Sequence, residues 1–90
     1  MFFFDSGGRI SKREFDRACY HLRFDHGFSS EQIIRLEEIF RGDLYESGDA
    51  TGISREELKK GIAWLKTNTD KHHFSAHQIE RIESTLKKYL

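Results

Sequence analysis

Apolar residues recur at helical intervals in four separate stretches of this chain. The first stretch is Phe15, Ala18, Cys19 and Leu22. The second is Ile33, Leu36 and Phe40, with Ile34 beside them. Leu58, Ile62 and Leu65 form the third, and Ile79, Ile82, Leu86 and Tyr89 the fourth. Spacings of three and four residues place each set on one face of an amphipathic helix. Each stretch opens on the same short pattern: an apolar residue, Ser, two variable residues, Glu or Gln, and another apolar residue. The copies begin at Ile10, Phe28, Ile53 and Phe74. The Ser oxygen can accept from the backbone N–H three residues on, while the Glu or Gln reaches back to the Ser N–H. The flanking apolar pair forms a staple that sets the entry angle of the chain. The pattern predicts helices from Ser11 to Arg23 or Phe24, from Ser29 to about Arg41, from Ser54 to about Lys66, and from Ser75 to the end. Gly42 is expected as a left-handed cap closing the second helix.

The chain repeats itself. At a shift of 43 residues, Ile10 falls on Ile53, Ser11 on Ser54, Glu14 on Glu57, Cys19 on Ile62 and Leu22 on Leu65. After three extra residues the shift becomes 46, and Phe28 meets Phe74, Gln32 Gln78, Leu36 Ile82 and Phe40 Leu86. The expected organisation is one all-α domain over residues 1–90, with repeat one over 3–45 and repeat two over 46–90. Each unit reads loop, helix, helix, and neither buries its apolar face alone.

Composition narrows the function classes. Lys plus Arg number 15 and Asp plus Glu 15, so no net positive charge draws the chain to nucleic acid or anionic membrane. No apolar run approaches a membrane span. The single Cys19 cannot form an internal disulfide and suits a reducing, cytoplasmic setting. Its place in the apolar set marks it as a buried core residue. His72, His73 and His77 have a spacing that invites a zinc reading, but His73 precedes the helix start, so a helical i, i+4 pair is not expected. The tandem helices also allow a helix-turn-helix reading. Long links and neutral charge weigh against it. No nucleophile–base arrangement or phosphate-cradling loop is present, so an enzyme is not expected.

Only the first and third helices follow Gly-rich acidic loops. These are Phe3-Phe4-Asp5-Ser6-Gly7-Gly8-Arg9-Ile10, and the run from Asp43 to Ile53. A loop that wraps a hard cation needs alternating oxygen donors, a Gly at a sharp bend, and a Glu from the following helix. Asp5, Gly8, the Arg9 carbonyl, Ser11 and Glu14 stand in that order. The pattern resembles the EF-hand. In the place of its first ligand stands Phe3, and Gly7 replaces a further side-chain oxygen, which leaves two carboxylates. The second loop is similar to the fourteen-residue pseudo form of the EF-hand loop. There the resemblance implies carbonyl ligands from Leu44, Ser47, Asp49 and Gly52, closed by Glu57.

The resemblance carries further expectations. Calcium is the implied ligand, bound weakly. Ile10 and Ile53 should pair as a short two-stranded link between the loops. The helix order implies a circularly permuted pair, in which the last helix folds back as the missing entering helix of the first loop. A partner chain or a removed segment is the other source of that helix. The function implied is a non-catalytic EF-hand-like protein-binding or regulatory module. The partner is a helical segment of another protein or a second copy of this chain. A metal-independent adaptor or inhibitor is the alternative. Phe2, Phe3, Phe4, Phe24, Tyr45 and Trp64 exceed what four short helices need inward and are candidates to line a groove.

Overall fold

Each of the four Ser-led patterns does start a helix. In the computed structural model, which describes residues 8–45 and 51–90, all four capping boxes are closed in both directions. The strand β1 (Arg9–Ile10) leads into α1 (Lys12–Asp25), followed by α2 (Ser30–Leu44). The second half runs β2 (Ile53–Ser54), α3 (Arg55–Thr67), α4 (Thr69–His72) and α5 (Ala76–Lys87). Ser11, Ser29, Ser54 and Ser75 are the N-caps. Each cap satisfies helix-end N–H groups that would otherwise lack partners, and is worth about 1 kcal/mol. The protein is all-α apart from the two short strands. Among the described residues, no helix is long and apolar enough to cross a membrane.

Two expectations about the helices need correction. Gly42 does not cap α2, which continues through it to Leu44. Leu44 is buried and extends the stripe of Leu36 and Phe40. Burying a leucine gains about 1.5–3 kcal/mol. A glycine inside a helix costs about 1 kcal/mol. Burial therefore wins. The second correction is the extra single-turn helix α4. It absorbs the three residues that the second half carries in excess. Asn68 closes α3 by donating from its backbone N–H and its side-chain Nδ2 to the Trp64 carbonyl, at 3.0 and 2.9 Å. Arg35 of α2 donates to the Lys71 carbonyl at 3.3 Å and ties the turn down.

The apolar faces form one core. Phe15, Ala18, Cys19, Leu22, Leu36, Phe40, Leu58, Ile62, Leu65, Ile79, Ile82 and Leu86 are buried, as are the staple residues Ile10, Phe28, Ile53 and Phe74. Ile33 and Tyr89 are half-buried at its edge, while Ile34 points outward. Helix α1 packs on α2 and α5, and α3 packs on α2 and α5, so the four long helices close a ring. Residues that the repeat makes equivalent meet each other inside that ring. Ile10 faces Ile53 in the antiparallel strand pair. The rings of Phe28 and Phe74 lie 5.9 Å apart. Gln32 Nε2 donates to Gln78 Oε1 at 3.3 Å. Contacts between equivalent positions are what an approximate two-fold axis between the halves produces. Even the links correspond: Gly27 and His73, each one residue before its buried Phe, both take left-handed backbone, at φ 75° and 61°.

Candidate functional site

The strand pair is the hub where the two loops meet. Its register sets Ile10 against Ile53 and Arg9 against Ser54. Both isoleucines are fully buried, which anchors the pairing from below. Neighbouring residues on a strand point to opposite faces, so the Arg9 side chain leaves the core and crosses to the other loop. There Arg9 Nη1 lies 3.4 Å from the Gly52 carbonyl oxygen and 3.4 Å from Glu57 Oε1. Glu57 Oε1 also accepts from the Ser54 N–H at 2.8 Å, so one carboxylate closes the helix cap and meets the guanidinium. Both side chains are about one-third exposed, at 33% for Arg9 and 27% for Glu57. The pair is thus better shielded than a fully solvated ion pair, whose worth is under about 1 kcal/mol.

Gly52 makes this approach possible. Its φ is +103°, and a Cβ there would sit 2.7 Å from the Ile10 carbonyl oxygen and 3.2 Å from Arg9 Cβ. Its N–H donates to the Asp43 carbonyl at 2.9 Å, which fastens the loop to the end of α2.

The expected ligand residues therefore divide. The fold brings together Arg9, Gly52 and Glu57. Arg9, whose carbonyl is the expected ligand of the first loop, sends its guanidinium to the second. Ser11 and Glu14 partner each other: Glu14 N–H donates to Ser11 Oγ at 3.1 Å, and Ser11 N–H to Glu14 Oε1 at 2.9 Å. Leu44 is the buried last residue of α2. Asp5, Ser47 and Asp49 lie outside the described residues. Two oxygens of the second loop's expected ligands, Gly52 O and Glu57 Oε1, both lie 3.4 Å from the Arg9 guanidinium. Among the described residues, no three His, Cys, Asp or Glu side chains converge as a metal group. His73 and His77 line different surface depressions.

Two features escaped sequence reasoning. The Arg9 side chain was hidden in the register, since pairing Ile10 with Ile53 places residue 9 beside the start of α3. The second is a cleft of about 500 Å³ between α2 and α3, lined by Ile39, Phe40, Asp43, Lys60 and Trp64.

Cys19 is buried, and desolvation pushes its thiol up to about 12 from an ordinary 9.0. The Asp16 and Glu37 carboxylates push the same way and Lys12 opposes them. The thiol is protonated at neutral pH and unsuited to nucleophilic work. The sign for stability follows. The unfolded chain loses this proton near pH 9 and the folded chain keeps it, so stability is intact below about pH 9 and falls as pH rises toward 12. We expect this group to contribute a loss of at most about 1.4 kcal/mol per pH unit across that window. Cys19→Ala should flatten the pH dependence, as read from urea midpoints on either side of pH 9.

No family model, no curated protein and no solved structure matches this chain.

Proposed function

We propose that this chain is a non-catalytic, EF-hand-like module that binds a helical segment of a partner protein, with calcium binding weak or lost. The EF-hand-like part of this reading is supported by the paired loops at the hub and by α5 packing on α1. That packing is what a circularly permuted pair requires of its last helix. The contacts of Arg9 favour the metal-independent form, an adaptor or inhibitor.

The observation that carries partner binding is an apolar patch shared by α1 and α2. Tyr20, Phe24 and Ile34 are 60%, 64% and 55% exposed on neighbouring faces of α1 and α2. The rings of Tyr20 and Phe24 lie 4.8 Å apart, tilted by 47°. With Cys19, Ile33 and the Arg23 stem they line an apolar depression of about 320 Å³. The repeat supplies an internal control. The equivalent positions in the other half are Ala63, Thr67 and Glu80. The same architecture is therefore built there without apolar side chains as large as these at the three positions, so folding does not demand them. A groove between two helices suits the apolar stripe of a third.

The test is Tyr20→Ser with Phe24→Ser. The double variant should unfold within a few degrees of the parent, since it removes little buried surface. It should lose the complexes, with other proteins or with itself, that affinity capture and sedimentation detect for the parent. Unchanged complexes, or a collapse of stability, would contradict the assignment.

A further inference from the structure

We propose that the Arg9 guanidinium is the resident cation at Gly52 and Glu57, standing where an EF-hand-like second loop would hold a metal ion and linking the start of β1 to the start of α3. This deepens the preceding section and rests on its EF-hand-like reading of the loops. One nitrogen, Nη1, stands 3.4 Å from a backbone carbonyl and 3.4 Å from the carboxylate that begins the next helix. Those are the oxygen types, a loop carbonyl and a helix-borne Glu, that close on a hard cation in such loops. Here a single positive charge meets both. It arrives from the opposite loop, 43 residues earlier in the chain for Gly52 and 48 for Glu57.

The repeat explains why, among the described residues, the side chain crosses from the first half to the second. Arg9 and Gly52 are equivalent positions in the two halves. They lie against each other across the hub, where a side chain on Gly52 would strike the Arg9–Ile10 backbone and the Arg9 stem. Gly52 leaves the space that the Arg9 stem takes, since a Cβ there would lie 3.2 Å from Arg9 Cβ. A guanidinium is always charged and is tethered by its own backbone. Loop coupling is then permanent, with no dependence on metal concentration. A divalent cation in the second loop would have to displace Arg9 from both oxygens.

The experiment compares the parent chain, Arg9→Ala, and Arg9→Ala with Glu57→Gln, each titrated with calcium chloride against a magnesium control. The readouts are the Gly52 and Ile53 amide shifts and the thermal midpoint. The parent should give no saturable shift up to about 5 mM calcium, beyond the range of the weakest natural sites of this kind. Arg9→Ala should melt several degrees lower in chelator. It should gain a saturable calcium shift and recover its midpoint with calcium, and adding Glu57→Gln should abolish both gains. If Arg9→Ala does not fold, Arg9→Gln keeps the stem over Gly52 and carries the same test. An uncharged variant as silent to calcium as the parent would overturn the proposal, leaving Arg9 an ordinary ion pair. A parent that binds calcium as tightly as the variant would overturn it too. Either failure leaves the Tyr20–Phe24 face to be judged by its own variants.

Discussion

Gly52→Ala is expected to cost about 2–4 kcal/mol, a large share of the roughly 5–13 kcal/mol available to a domain of this size. Two effects add. At φ +103° an L side chain is strained by about 1–3 kcal/mol. The new methyl also meets the Ile10 carbonyl oxygen at 2.7 Å, and that atom belongs to backbone held in the strand pair, so it cannot swing aside. The loss should be largest at the hub, with the Ile10–Ile53 pairing opened first. Gly42→Ala is the matched control. Gly42 lies inside α2 with ordinary helical backbone and nothing within 4 Å of a new Cβ. There alanine should stabilise by up to about 1 kcal/mol. Urea unfolding followed by far-UV circular dichroism reads both. Equal effects at the two glycines would contradict the hub geometry.

The second large effect concerns the crossing of α2 and α3. A Cβ on Gly61 would lie 2.5 Å from two carbons of the Phe40 ring. That ring is fully buried and packs against Phe15, with ring centres 6.1 Å apart, so it cannot retreat without moving the core. Gly61→Ala should therefore cost about 1–3 kcal/mol even though alanine is the better helix former. The other half suggests the remedy. The positions equivalent to Gly61 and Phe40 are Ala18 and Leu86, both fully buried. At this crossing a glycine of the second half meets a large residue of the first, and at the equivalent crossing an alanine of the first half corresponds to a smaller residue of the second. Adding Phe40→Leu to Gly61→Ala should recreate that combination and recover at least about 1 kcal/mol. The double-mutant cycle would then give a favourable coupling energy of that size. Additive losses would show that the two residues do not compete for the same volume.

Helix starts were legible because several local signals coincided at each. A capping Ser, a Glu or Gln three residues on, and a flanking apolar pair all stand ahead of a helical stripe, as at Phe28-Ser29-Ser30-Glu31-Gln32-Ile33. The repeat added long-range information. The resemblance to the EF-hand implied that Ile10 pairs with Ile53, which the strand register bears out. Features decided by tertiary packing were not legible. Gly42 reads locally as a helix end, yet Leu44 finds a place in the core two residues later. The extra turn α4 looks like a longer link until Arg35 and Asn68 are seen to hold it. Ile34 has the chemistry of a core residue but lies about a hundred degrees around the helix from Ile33, outside the packed stripe. At the site, Arg9 was legible as a loop residue and not as a side chain reaching across the hub. The expected register places residue 9 beside the start of α3, but which atoms its side chain meets there is settled only when the halves assemble.

The central claim is that two repeats close on each other, with equivalent residues in contact and Arg9 carried across the hub. Long-range proton–proton Overhauser contacts in the full chain test this most directly. The account predicts cross-strand contacts between Ile10 and Ile53, ring contacts between Phe28 and Phe74, and contacts from the Arg9 side chain to Gly52. Contacts confined to within each half, with these three sets missing from otherwise well-resolved spectra, would contradict it.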